Sequence, residues 1–148
     1  MSDTRITANS QVDTPSTYGN QVRVVRSNER RIEVASGAMT RFEGVSLGLT
    51  GAQGIHLAIA TIPPGEMSSP HRHINCESAI FVLSGQGRFL VGERLENSIQ
   101  IGPGDFIYIP PMAVHAPTND SEELLKLLVA RNAPVEEIEE VSLPSNKR

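Results

Sequence analysis

Four histidines occur in the sequence, and two of them, His71 and His73, are separated by a single residue. In a β-strand, residues i and i+2 point to the same face, so these two imidazoles project together toward one ion. Glu77 follows His73 by an even step and shares that face if the strand continues, and His115 adds a third imidazole from a later segment. Three imidazoles and a carboxylate suit one divalent transition metal ion (Fe, Mn, Zn, Ni or Cu) and do not suit Ca²⁺ or Mg²⁺, which prefer oxygen ligands.

The segments around these residues have the pattern of short β-strands. Apolar and polar residues alternate, and turns rich in Gly and Pro separate the segments at intervals of roughly 8 to 12 residues. The predicted strands are 22–24, 32–34, 56–62, 78–83, 87–91, 98–101, 106–109, 113–117 and 124–131. The last of these would also suit a helix, but the rhythm of the chain favours a buried strand. The pattern predicts an all-β sandwich or barrel.

The chain of 148 residues has the length of one domain. Residues 1–20 are mostly polar and are predicted to form a flexible N-terminal arm, followed by the β-domain over 21–134. Residues 135–148 are predicted to form an acidic C-terminal tail. Within this tail, apolar residues at 135, 138 and 141 would permit one or two helical turns, and the alternative is an acidic, solvated tail.

Composition excludes several classes of function. The net charge of −4 argues against a nucleic-acid or anionic-membrane partner, since both require a basic surface. No apolar stretch is long enough to span a bilayer, and the N-terminus lacks the pattern of a signal peptide. The single cysteine, Cys76, cannot form an internal disulfide and is predicted to be a small buried residue. We therefore expect a cytoplasmic protein.

The candidate ligands lie in two motifs that closely resemble those of the cupin family. The first family motif is Gly, five residues, His-x-His, three or four residues, Glu, six residues and Gly; its positions here are Gly65, His71, His73, Glu77 and Gly85. The second is Gly, five residues, Pro-x-Gly, two residues, His, three residues and Asn; its positions here are Gly104, Pro110, Met112, His115 and Asn119. Together they cover somewhat over a third of the chain.

Two positions depart from these motifs. Seven residues instead of six separate Glu77 from Gly85, which predicts a β-bulge just after Glu77. Without that bulge, Ser78 would take the aligned ligand position. Met112 stands where the family usually has Gly, which affects the turn and leaves the ligands unchanged.

The resemblance implies a cupin-type double-stranded β-helix, or jelly-roll barrel, with the ion inside. It also implies a homodimer formed by exchange of N-terminal strands. The implied function is a metal-dependent enzyme acting on a small polar organic substrate, by dioxygenase-type oxidation or by metal-assisted isomerisation or decarboxylation. The alternative is a non-catalytic ligand-binding or sensor protein with a structural metal. An acid or base besides the ligands would distinguish the two, and the candidates are Tyr108, His56 and Glu66.

Overall fold

The computed structural model describes residues 20–34 and 36–143. Eleven strands and one short helix form in these ranges: β1 (Arg31–Val34), β2 (Thr40–Val45), α1 (Leu47–Thr50), β3 (His56–Ile62), β4 (His71–His73), β5 (Ser78–Ser84), β6 (Gly87–Val91), β7 (Asn97–Ile101), β8 (Phe106–Ile109), β9 (His115–Thr118), β10 (Leu125–Arg131) and β11 (Ile138–Glu140). No helix within the described ranges is long and apolar enough to cross a membrane.

The strands form two antiparallel sheets. Sheet A has the order β1-β2-β3-β10-β5-β8, and sheet B has the order β11-β4-β9-β6-β7. The non-consecutive neighbours are typical of a jelly roll, in which each sheet draws strands from distant parts of the chain. The fold is therefore the all-β jelly roll that the sequence predicts.

The core lies between the inner faces of the two sheets. Strand β3 alternates strictly between buried and half-buried residues, as the period of two requires. The largest fully buried apolar side chains are Phe89, Ile62, Leu125, Leu127 and Val82. These residues fill one part of the interior and leave the space beside His71, His73 and His115 for polar side chains.

Most predicted strands form, and the segment 124–131 is a strand and not a helix. The two ends of the chain differ from the prediction. Val22 and Val24 form no strand and are exposed, at 95% and 64%. In the predicted tail, Ile138–Glu140 is neither helical nor purely solvated, because it pairs with β4 at the edge of sheet B. The predicted N-terminal arm lies outside the described residues except for its last position.

The prediction of a bulge just after Glu77 is wrong. Strand β5 pairs regularly with β8 from Ser78 onward, and its register against β10 shifts only between Val82 and Ser84. The extra residue is therefore Leu83, just before the turn at Gly85. Gly85 has a φ of 82°, and a Cβ there would collide with the carbonyl oxygen of Leu124, so the turn requires glycine. As a result Ser78 faces the interior.

Met112, in the turn between β8 and β9, has a φ of 68°, in the left-handed region that favours glycine. Its amide donates a hydrogen bond of 2.8 Å to the carbonyl oxygen of His73. The turn therefore joins the two strands that carry the histidines, and it does so with a strained residue.

We expect Met112→Gly to raise the free energy of unfolding by about 0.5–1 kcal/mol, because relief of the left-handed strain exceeds the greater entropy of unfolded glycine. Chemical denaturation measures the change. Met112→Ala is the matched control, since it keeps the Cβ and should give no such gain. An equal gain from both variants would show that backbone strain is not the cause.

Candidate metal centre

Three histidines converge from two neighbouring strands of sheet B. His71 and His73 occupy the same face of β4, and His115 begins β9 directly opposite His71. The ring centroids are 4.5 Å apart for His71 and His115, 5.1 Å for His71 and His73, and 5.4 Å for His73 and His115. One nitrogen from each ring lies within 4.8 Å of the others, which is close enough for one ion to bind all three.

Two of the rings are oriented by hydrogen bonds from the nitrogen that would not bind metal. His71 Nδ1 donates to the carbonyl oxygen of Ser69 at 2.7 Å, and His115 Nδ1 donates to that of Ala113 at 2.9 Å. A carbonyl can only accept, so Nδ1 carries the proton and Nε2 is left free. This arrangement is typical of histidines that bind a metal through Nε2.

Burial keeps the three imidazoles neutral. It lowers the pKa of His115 to about 3 and that of His73 to about 4, and it also lowers the pKa of His71. The neighbouring imidazoles add to the effect at His71 and His115, whereas Arg131 and Arg41 add to it at His73. Only neutral imidazole binds metal, so the site is ready for an ion at pH 7. The residues present therefore fit a divalent transition metal.

Glu77 does not join this group. Its side chain is exposed, and its carboxylate accepts a hydrogen bond of 3.0 Å from the Tyr108 hydroxyl on the outer face of sheet A. This contact raises the pKa of Tyr108. Ser78 faces inward in its place and is 3% exposed. Among the described residues, the donor set is thus three imidazoles, with no carboxylate as a fourth member of the group.

The histidines line a cavity of about 750 Å³ between the two sheets. Opposite them, the inner face of sheet A presents a row of polar side chains. Arg131 on β10 pairs in register with His56 on one side and with Ser78 on the other, and all three line the cavity. The cavity therefore has the three histidines on one wall and a row of charged and polar groups on the other.

His56 forms a buried pair with Glu43. Its Nε2 lies 3.1 Å from the Glu43 carboxylate, and both residues are 3% exposed. Burial alone would raise the pKa of Glu43, but the hydrogen bonds with His56 and Glu33 and the charge of Arg31 together lower it to about 2. Glu43 is therefore ionised, and it fixes the imidazole of His56 at the cavity wall.

Glu33, Glu43 and His56 also come close enough to suit a second ion. Arg31 already pairs with Glu43 at 2.7 Å, and Arg41 pairs with Glu33 at 2.9 Å. Two guanidinium groups on the same carboxylates repel a further cation. This group is better described as an ion-pair network than as a metal site.

The structure separates the three acid–base candidates. Only His56 lines the cavity with the histidines. Tyr108 is 63% exposed and contacts Glu77, and Glu66 is exposed in the loop before β4. Cys76, predicted to be a small buried residue, is 2% exposed, and burial raises the pKa of its thiol.

Sequence reasoning missed Glu43, Arg131, Arg41 and Glu136. Arg131 had a usable signal, because the step of two from the buried Leu125 and Leu127 places it on the inner face of β10. Arg41 and Glu43 are likewise two residues apart on β2. Glu136 gave no such signal, since its position depends on the path of the chain between β10 and β11.

Residues 58–131, half of the chain, match the family described as Cupin domain. An uncharacterized protein of Methanocaldococcus jannaschii is 31% identical over 78 residues, covering 53% of this chain and 60% of that protein. The chain thus matches less than two thirds of this relative's length.

Solved structures extend the similarity. The polyketide cyclase RemF of Streptomyces resistomycificus has a TM-score of 0.71 at 20% identity, covering 85% of this chain and 89% of that one. A "Putative sugar phosphate isomerase" of Acidithiobacillus ferrooxidans has a TM-score of 0.60 at 28% identity, covering 79% of this chain and 80% of that one. The oxalate decarboxylase of Bacillus subtilis has a TM-score of 0.64 at 21% identity, covering 76% of this chain and 30% of that one.

We expect His115→Ala to lose most of the bound metal, because two buried imidazoles remain where three converge. Glu77→Gln should keep the full amount, because its carboxylate lies on the outer face. Inductively coupled plasma mass spectrometry of protein purified without a His-tag gives the metal content of each. Full metal content in the first variant, or loss in the second, would contradict the three-histidine assignment.

The metal-free protein should lose stability as the pH falls from about 6.5 toward 4. The unfolded histidines then take up protons that the buried ones, with pKa values of about 4 and about 3 at His73 and His115, do not. Stability therefore rises with pH in this window, by up to about 1.4 kcal/mol per pH unit for each histidine. Urea denaturation at several pH values measures the slope. His115→Gln should reduce the slope of stability against pH by the contribution of one histidine. An unchanged slope would show that the buried histidines do not cause the pH dependence.

Proposed function

Because the chain belongs to the cupin family, we propose that it is a metal-dependent enzyme that transfers protons on a small polar organic molecule. The reaction class is isomerisation, epimerisation or decarboxylation. One observation carries the proposal: the buried His56–Glu43 pair lines the same cavity as the three histidines. An acid or base besides the ligands is what separates an enzyme from a binding protein with the same centre.

The residues that would hold the ion are His71, His73 and His115. A divalent ion bound there would supply Lewis-acid chemistry toward a carbonyl or carboxylate oxygen. A donor set of neutral imidazoles would add no negative charge to the centre, which favours this role. The wall also has an apolar part, which includes Phe89, Ile80 and Leu127.

His56 is the residue that takes and returns the proton in this proposal. With Nε2 directed at ionised Glu43, the proton of neutral His56 resides on Nε2, and Nδ1 is left as the basic atom. No described residue hydrogen-bonds that Nδ1. When Nδ1 accepts a proton, the Glu43 carboxylate stabilises the imidazolium, as an ionised partner does for a catalytic histidine.

The comparisons support the same class by analogy. The Acidithiobacillus ferrooxidans protein, at 28% identity, is named as an isomerase, and the Bacillus subtilis protein is named as a decarboxylase. A shared fold does not fix a reaction, so the argument depends on the His56–Glu43 pair. Dioxygenase-type oxidation and a homodimer formed by strand exchange stay predictions, as does the cytoplasmic location.

The test is exchange of carbon-bound hydrogen in D₂O, followed by NMR, over a panel of small sugars, sugar phosphates and keto acids. We expect deuterium to enter beside a carbonyl in at least one compound. His56→Gln should keep the metal and slow exchange by roughly 10²–10⁴-fold, the usual contribution of a general base.

Glu66→Gln is the control, because this carboxylate lies outside the cavity and its loss should leave the exchange rate unchanged. An unchanged rate in His56→Gln would refute the role of His56. Saturable binding of a compound with no exchange in the metal-loaded protein would favour the non-catalytic alternative.

A further inference from the structure

Glu136 reaches the metal centre from the chain between β10 and β11. Asn75 holds the backbone on both sides of it: its Nδ2 donates to the carbonyl oxygen of Val135 at 2.8 Å, and its Oδ1 accepts from the amide of Glu137 at 2.8 Å. With both neighbours fixed, the Glu136 side chain lines the cavity beside β4. Its position is therefore set by the backbone and is not that of a freely moving surface residue.

The Glu136 carboxylate lies between two arginines and His73. Its Oε1 is 2.6 Å from Arg41 Nη1, and its Oε2 pairs with Arg131. The same Oε2 is 3.1 Å from His73 Nδ1. Both of these atoms are buried, and neither has a hydrogen bond of good geometry to any described residue.

Of the three histidines, His73 is the one whose Nδ1 has no backbone carbonyl as acceptor, and Glu136 lies at that atom. His71 and His115 each donate Nδ1–H to a carbonyl two residues earlier, whereas His73 faces a carboxylate. A carboxylate that accepts from the outer nitrogen of a histidine fixes its tautomer, directs its ring and raises its basicity as a ligand. The 3.1 Å between His73 Nδ1 and Glu136 Oε2 is a hydrogen-bond distance.

We propose that Glu136 is the positioning residue of His73. It accepts the Nδ1–H of that ring and holds Nε2 toward the ion that the three histidines would bind. The inference rests on the metal-dependent function proposed above. Arg41 and Arg131 hold the carboxylate in place, so that a negative charge lies next to a centre whose donor set has none.

A structural alternative is that Glu136 only balances the charges of Arg41 and Arg131. Glu33 separates the two explanations, because its carboxylate pairs with the same Arg41 and has no contact with His73. Glu33→Gln removes one negative charge from the network, as Glu136→Gln does, but leaves the His73 contact intact. The comparison of these two variants is therefore matched in charge.

The experiment measures Zn²⁺ affinity by competition with a chromophoric chelator, in the full-length chain, for the parent, Glu136→Gln and Glu33→Gln. We expect Glu136→Gln to weaken Zn²⁺ binding by 10- to 100-fold, the usual effect of losing such a partner. Glu33→Gln should change it by less than about 3-fold. Equal weakening in both variants, or none in Glu136→Gln, would overturn the proposal.

Because Glu136→Gln leaves Arg131 with less compensation, a second measurement uses the parent alone. In the Zn²⁺-loaded protein, ¹⁵N-resolved NMR should show an exchange-protected Nδ1–H on His73, shifted further downfield than those of His71 and His115, whose acceptors are uncharged. Absence of that signal would overturn the proposal. If the parent binds no Zn²⁺, Co²⁺ or Mn²⁺, the proposed function fails as well, whereas tight binding that is insensitive to Glu136→Gln refutes only the role of Glu136.

Discussion

The whole site depends on burying three imidazoles in uncharged form where β4 meets β9. A buried polar ring is costly unless its N–H has an acceptor. For His71 and His115 the acceptor is the carbonyl of the residue two positions earlier, Ser69 and Ala113. The orientation of these two rings is thus encoded locally, by the strand that carries each. His73 has no such local partner, and the carboxylate that lies 3.1 Å from its Nδ1 belongs to Glu136, which is distant in sequence.

The cavity wall opposite the histidines contains buried charged side chains, and removing these charges from water is unfavourable. Arg131 is 5% exposed, and burial lowers its pKa to about 10 even though Glu136 pairs with it. Buried ion pairs of this kind contribute little net stability, because desolvation offsets their attraction. Replacement of such pairs with well-packed apolar residues is often neutral or stabilising. Folding stability therefore does not account for this charged row beside the histidines, whereas the function proposed above gives it a role.

Much of the fold could be predicted from sequence, because period-two alternation and Gly/Pro turns are local signals. Strands β3, β6 and β8 form with the predicted bounds. The edges of the sheets could not be predicted in this way. β11 pairs with β4 beside the hydrogen bonds that Asn75 makes to the distant residues Val135 and Glu137, and a local pattern does not contain such contacts. The exposed Val22 and Val24 show the converse, since alternation alone forms no strand without a neighbour to pair with.

In the candidate site, too, local sequence signals predict some residues and not others. The three histidines were predictable from spacing, but the carboxylate was not, because one residue of register exchanges the faces of a strand. Regular pairing of β5 with β8 puts Ser78 opposite the buried Ile109 and turns Glu77 outward to Tyr108. A carboxylate still approaches the centre, but from Glu136 and on the far side of His73. An ion held by three neutral rings would keep its full charge toward the cavity, while the nearby carboxylate acts on it only through a ligand. That separation would favour the Lewis-acid role that we propose for an ion bound at this centre.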